Sequence, residues 1–340
     1  MSGSRPMPRQ VLGGPSAWTG DQLRARRDWI FDLDEDALTQ LREVASRAVS
    51  RDSLEGLAPE DVLSGPLEGI LLGLRKQLLH GTGVAWLRGI PAGDAAGELG
   101  AAMFWCLGRG MGRAVPQNAQ GDLLGHVMDL GRDPSDPTTR LYQTHERQGW
   151  HTDSADLAGL MCVRPAARGG STAIASASAL HDRLLQEDPE SLKVLFEDFH
   201  TDHRGEPPPG EPEAFRAPIF SWFEGHLSVM YQRRYIESAQ RLAWVPRLNP
   251  VRIRALDALD AAADDPAMHI RTRLEPGEVL LMHSHATLHD RSAFVDEAGR
   301  PGRHLLRLWI CPPMGRALPV WFASRLRSVT PGDRGGVSPL

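Results

Sequence analysis

The stretch Gly149-Trp150-His151-Thr152-Asp153 holds residue types that readily do chemistry together. On an extended segment, residues i and i+2 point to one face. His151 and Asp153 therefore offer an imidazole nitrogen and a carboxylate oxygen to a single ion. A mixed imidazole and carboxylate site without thiolate suits Fe(II) or Mn(II) better than structural zinc. Taken alone, His-x-Asp is common, and a surface turn with a hydrogen-bonded His–Asp pair is its ordinary explanation. A three-ligand site needs a second imidazole from a distant strand. The apolar run 279–282, following a Pro276-Gly277-Glu278 turn, leads to three: His283, His285 and His289. Further on, Arg303 and Arg307 share a face if 303–309 is a strand. Guanidinium groups aimed into a core are costly unless they meet carboxylates. The pair therefore predicts two bound anions or two buried acidic partners.

Taken in order, His-Thr-Asp, the Gly169-Gly170-Ser171-Thr172 turn, a distal His and an Arg-x-x-x-Arg segment resemble the taurine dioxygenase (TauD/TfdA) family. The likeness covers residues 80–320 and is nearest to the family's clavaminate-synthase-like, amino-acid-hydroxylating branch. It implies an α+β fold, with a double-stranded β-helix (jelly roll) core, N-terminal helices and helical insertions. It implies His151, Asp153 and His289 as iron ligands. Thr172 and Arg303 would hold the distal carboxylate of 2-oxoglutarate, and Arg307 a carboxylate or sulfonate on the substrate. Asp290 follows the distal His where the family often has Gly. His289 is favoured over its neighbours because Arg291-Ser292-Ala293-Phe294 and the downstream arginine fit its register. His285 then reads as a pocket residue and His283 as a strand-end hydrogen-bonding residue.

The implied cofactors are Fe(II), 2-oxoglutarate as cosubstrate, and O2. The implied activity is oxidation, most simply hydroxylation, of a C–H bond on a small polar carboxylate or amino-acid-like substrate, releasing succinate and CO2. Desaturation or cyclisation stays open. A carboxylate at position 153 leaves no ligand position for halide, which disfavours halogenation. A sulfonate or aryloxyacid oxygenase of the same chemistry is an alternative, as is a non-catalytic metal-binding β-barrel protein. A zinc hydrolase is disfavoured by the paired arginines.

Other candidates carry weaker signals. Gln117 and Asn118, after Pro116, form a polar turn suited to a substrate-pocket rim, although an ordinary capped turn fits equally. Tyr142, His145 and Glu146 precede the His-Thr-Asp segment, from where they can touch a substrate, although a lone polar residue there is more often solvated. Trp150 reads as core. Gly108-Arg109-Gly110-Met111-Gly112 looks like a phosphate loop, but it follows a helix and lacks the rest of a dinucleotide fingerprint. Neither GxxxxGK[ST] nor HExxH occurs.

These groups need a scaffold, and 340 residues, 41% hydrophobic and 24% charged, provide one large domain or two modest ones. A single domain is expected over 17–327, between flexible Gly-, Pro-, Ser- and Arg-rich tails at 1–16 and 328–340. The net charge of −5 and pI near 6.2 give no general attraction to nucleic acid or anionic lipid. Positive charge is almost all arginine, with Lys76 and Lys193 the only lysines. Cys106, Cys162 and Cys311 are too scattered for a disulfide framework, which fits a reducing cytoplasm. The start has no apolar signal-peptide core. Apolar stretches such as 69–74 are far too short to span a bilayer. The expected partner is a small molecule, with no nucleic acid and no membrane.

Asp34–Asp36 can cap a helix with Leu38, Leu41, Ala45 and Ala48 as its stripe. A second helix carries Leu67, Ile70, Leu71, Leu74 and Leu78 and stops at Gly81. A buried strand is expected at 84–87 and a third helix at 94–107. From 140 onward, short apolar segments at 157–163, 172–176, 227–231, 269–274, 279–282 and 305–311 alternate with Gly/Pro turns. That texture predicts a sandwich or jelly roll. Helical stretches at 178–198 and 250–262 interrupt it.

Overall fold

Apolar residues at helical spacing build the N-terminal layer. In the computed structural model, which describes residues 6–50, 56–136, 138–208 and 210–338, the first long helix is Glu35–Ser50. Asp34 Oδ1 accepts from the Ala37 amide at 2.8 Å, and Leu38, Leu41, Ala45 and Ala48 are buried. Gly65–His80 buries Leu67, Leu71, Leu74 and Leu78, and Gly81 caps it. The third helix, Gly97–Met111, lies later than expected and takes in Gly108 and Gly110. The glycine run is thus mostly helix, and close packing is the reason. A Cβ at Gly108 would stand 2.6 Å from Leu308 Cδ1, and one at Gly110 2.6 Å from Leu71 Cδ1.

Two sheets form the core. The larger runs Ile30–Asp32, Val84–Arg88, Val279–His283, Leu157–Arg164, His304–Cys311 and Arg113–Ala114, with Leu124–Val127 also paired to His304–Cys311. The smaller is antiparallel throughout: His269–Thr272, Thr172–Ser176, Thr287–Arg291 and Gln148–His151. Alternation along the larger sheet decides what faces what. Leu281, Leu306, Leu308 and Ile310 pack with the helices. Leu280, Met282, Leu305 and Trp309 join Ile174 and Ile270 of the smaller sheet in an inter-sheet cluster. The residue between Leu305 and Trp309 on that inner face is Arg307. This is the expected jelly-roll core with helices outside it.

The predicted helix at 178–198 is two helices, Ala177–Glu187 and Pro189–Leu195. Pro189 lacks the amide that would continue the first, and the Asp188 side chain caps the second by accepting from Ser191 N. Residue 198 already belongs to a strand, Asp198–Asp202, paired with Ala214–Pro218. A second hairpin joins Phe220–Phe223 to His226–Val229. The helix Pro250–Asp264 is capped by Asn249.

The expectation of a loose segment after 327 is corrected. Arg334 is fully buried, with its guanidinium forked onto Asp156 (Nε to Oδ2 2.9 Å), and Val337 joins the inter-sheet cluster. A buried carboxylate demands a cation, and composition alone does not reveal that demand. At the other end, the amides of Leu12 and Gly13 donate to the Asp182 carboxylate at 2.8 and 3.3 Å. All three cysteines are buried and free. Among the described residues, no helix is long and apolar enough to cross a membrane.

Candidate active site

Pairing of Gln148–His151 with Thr287–Arg291 sets His151 directly opposite His289. Their ring centroids are 3.9 Å apart. Asp153 follows two residues later, with Oδ2 at 3.8 Å from His289 Nε2. One ligand atom from each of these three residues lies within 4.8 Å of the others, and no other such cluster occurs among the described residues. His151 Nδ1 donates to the Gly149 carbonyl at 2.8 Å, which leaves the lone pair on Nε2. The Gln148 side-chain amide meets that lone pair at 2.9 Å.

The electrostatics prepare all three for a cation. Burial, and then His289, push the His151 pKa down to about 3, and burial likewise lowers that of His289. Both rings are therefore neutral near pH 7, as metal ligation requires. Burial works against the Asp153 carboxylate. Arg307 and the two imidazoles outweigh it and hold its pKa below the ordinary carboxylate value. Two neutral imidazoles and one carboxylate on one face fit Fe(II) with positions left open. His283 and His285 turn elsewhere. His283 Nδ1 accepts from the His285 amide at 3.1 Å, and His285 Nε2 lies 3.6 Å from Asp156 Oδ1.

Two chambers meet at this cluster. The smaller, about 380 Å³ including its mouth, is bounded by Thr172, Arg291, Arg303 and apolar Leu160 and Leu305. Arg303 is buried; it donates to the Gly170 carbonyl at 3.4 Å, and its Nη1 has no partner. The Gly169-Gly170 turn makes room for it. Both residues have positive φ (74° and 70°), and a Cβ on Gly170 would stand 2.8 Å from Arg303 Nε. Arg291 lies opposite Thr172 in register. One of its amino groups donates to the carbonyls of Leu141 and Glu146, while Nε and Nη1 are buried without partners. Burial pushes both guanidinium groups down to about 10. In the sequence, Arg291 served only to fix the register of His289. Its position two residues after His289, on the same strand face, was the available signal.

The larger chamber, about 700 Å³ including its mouth, is lined by Arg140, Tyr142, Thr201, Tyr235, Trp309 and Arg325. Arg307 borders both chambers. It is 4.6 and 4.7 Å from the ring centroids of Tyr142 and Trp309, and its Nη1 is 3.8 Å from Asp153 Oδ1. The acidic group this inward arginine meets is thus Asp153.

Gln117 and Asn118 line neither chamber, so the pocket-rim expectation is corrected for both. Gln117 is buried; its Oε1 accepts from Arg307 Nε at 2.6 Å, and its amide donates to the carbonyls of Leu123 and Arg307, each at 2.8 Å. It orients Arg307. Asn118 Oδ1 accepts from the amides of Gln120 and Asp122, an ordinary capped turn. Tyr142 does reach the site, whereas His145 pairs with Asp129 at 2.8 Å on the exposed side. Trp150 is core, its Nε1 donating to Asp264 at 2.8 Å. Arg140 and Arg325 went unnoticed in the sequence because no motif surrounds them.

The profile of the family described as "Taurine catabolism dioxygenase TauD, TfdA family" matches residues 53–309. The chain belongs to the TauD/TfdA family. It is a non-haem iron dioxygenase that depends on 2-oxoglutarate. FR-33289 synthase of Streptomyces rubellomurinus is 35% identical over 320 residues, covering 92% of this chain and 93% of that protein. A uridine-5'-phosphate dioxygenase of a Streptomyces species is 33% identical over 203 residues, covering 54% of this chain and 72% of the relative. The fold is that of asparagine oxygenase, solved with Fe(II), 2S,3S-3-hydroxyasparagine and succinate. Its TM-score is 0.66 at 18% identity, covering 92% of this chain and 100% of the other.

Proposed function

We propose that this dioxygenase hydroxylates a C–H bond of a small polar, carboxylate-bearing or amino-acid-like substrate. His151, Asp153 and His289 serve as its iron ligands. One observation carries the reading: the three ligand residues cluster where His151 and Asp153 border two chambers, each containing buried guanidinium groups. The smaller chamber suits 2-oxoglutarate. Arg303, with Thr172 beside it, offers planar donors to the distal carboxylate, and Arg291 adds a second positive charge. Leu160 and Leu305 give this chamber apolar walls, and a low-dielectric wall strengthens those contacts. When bound, iron with 2-oxoglutarate and O2 supplies the oxidising power that converts C–H to C–OH, releasing succinate and CO2. The chain's own task is to orient. Arg307, clamped between Tyr142 and Trp309 and held by Gln117, presents a fixed cation where the chambers meet.

The larger chamber suits a substrate carrying an anionic group. Supporting this, one relative is named for uridine-5'-phosphate, a small acid. The catalytic unit is taken as one domain from 17 to 327, continued by the packed segment through 337. Three free, buried cysteines favour a reducing cytoplasm as its compartment. The test is succinate formation with Fe(II) and ascorbate across a panel of amino acids and other small acids. Succinate release that rises at least tenfold with one such acid is the expected result. Succinate release stimulated only by neutral compounds overturns the substrate reading.

A further inference from the structure

The arginines of the larger chamber outnumber the carboxylates that meet them. Arg140 is ion-paired with Glu206, and its Nη1 donates to the Gln117 carbonyl at 3.3 Å, but its Nε is buried without a partner. Arg307 shares Asp153, which a bound cation would claim. Arg325 comes from the short helix Ala323–Leu326 at the far end of the chain. Its Nε donates to Ser154 Oγ at 2.7 Å, and among the described residues no carboxylate pairs with it. Burial, and then the neighbouring Arg140, pull its pKa down to about 10. A guanidinium on a cavity wall, held charged beside a like charge and without a carboxylate partner, is a costly arrangement unless an anion completes it.

The surroundings narrow that anion. Thr201 and Tyr235, both hydroxyl-bearing, line the same chamber as Arg140 and Arg325, and Tyr235 lies close enough to act electrostatically on Arg325. A carboxylate has two coplanar oxygens and one charge, which a single guanidinium fork satisfies. Donors from four separate stretches lining one chamber match three oxygens arranged in a cone and bearing two charges.

We propose that the larger chamber recognises its substrate through a dianionic phosphoryl or phosphonyl group, with Arg325 as its principal anchor and Arg140, Tyr235 and Thr201 completing the grip. The inference rests on the reading of this chamber as the substrate site. The head group lies at the Arg325 wall, and the carbon to be oxidised extends from it toward His151 and Asp153, which border the same chamber.

The test is calorimetric titration of the anaerobic protein, loaded with Fe(II) and 2-oxoglutarate, using four probes of similar size. These are methylphosphonate, methyl phosphate, methanesulfonate and acetate. Methylphosphonate or methyl phosphate should bind at least tenfold more tightly than methanesulfonate and acetate. The tighter of the two identifies a phosphonate or a phosphate ester as the source. Arg325→Gln should weaken that probe at least tenfold, and Arg325→Lys should recover part of the loss, which separates lost recognition from lost folding. Equal affinity for acetate or methanesulfonate overturns the proposal, as does unchanged affinity in Arg325→Gln. The visible absorption band that 2-oxoglutarate induces in the iron-loaded wild type is a separate readout. Its absence refutes the dioxygenase reading without bearing on anion recognition.

Discussion

The two chambers that meet at His151 and Asp153 are built by different means. The smaller is assembled from neighbouring strands of the jelly roll: Thr172 faces Arg291 in register, and Arg303 lies over the Gly169-Gly170 turn. The larger draws on loops, an inserted hairpin and short helices, with Arg140, Thr201, Tyr235 and Arg325 coming from four separate stretches. A chamber made by a sheet inherits the sheet's rigidity, and its contents are fixed by strand register. A chamber made by connections varies without disturbing the core. On the proposed reading, the division places the shared chemistry on the scaffold and substrate choice on the insertions.

The comparison breaks most completely at the junction. Asp153→Ala should remove iron retention and lower succinate formation by at least about 100-fold, the upper end of what merely supporting residues cause. Metal analysis and a single assay check this. Arg303→Ala should act on one chamber only. It should raise the KM for 2-oxoglutarate by about 10- to 100-fold, the equivalent of a lost hydrogen bond to a charged group. Affinity for anions in the larger chamber should stay unchanged. A parallel loss in both chambers would erase the distinction.

Smaller effects sharpen it. Gly170→Ala places a side chain at φ 70° and against Arg303 Nε. About 1–2 kcal/mol of stability should be lost, with a few-fold rise in the KM for 2-oxoglutarate. Thermal unfolding and kinetics read both. The smallest effect concerns acid. Burial lowers the pKa of His285, on the wall of the larger chamber, to about 3, and that of His203 to about 4. The unfolded chain binds these protons at its ordinary value while the folded chain refuses them. Stability is therefore full above about pH 6.5 and falls as pH drops toward the folded values, by less than about 1 kcal/mol for each histidine between pH 7 and pH 6. Urea midpoints at the two pH values should show that fall. Stability that rises on acidification contradicts the assignment.

What was legible in the sequence follows the same division. Period-two spacing on strands or strand ends showed His151 with Asp153 and Arg303 with Arg307, whereas His289 and Thr172 were legible only through the family resemblance. The jelly roll showed itself as short apolar segments between turns. Gln117 was visible as polar, but its role was not, because the Arg307 that it holds lies 190 residues away. Arg140 and Arg325 stand in stretches without periodicity, so nothing local marks them. Arg334 lay hidden in a segment whose Gly, Pro and Ser content resembles a tail, and only the buried Asp156 carboxylate explains its place. The split at Asp188-Pro189 was readable, since proline cannot continue a helix, and the smooth expectation over 178–198 missed it.

The central claim is that one ion is held by His151, Asp153 and His289 within reach of a keto-diacid clamped by Arg303. Anaerobic titration of the iron-loaded protein with 2-oxoglutarate, followed by visible absorption, tests it most directly. The account predicts a weak, saturable band in the wild type, a much higher half-saturation in Arg303→Ala, and no band in Asp153→Ala. A wild type without the band, or a band indifferent to both substitutions, contradicts it.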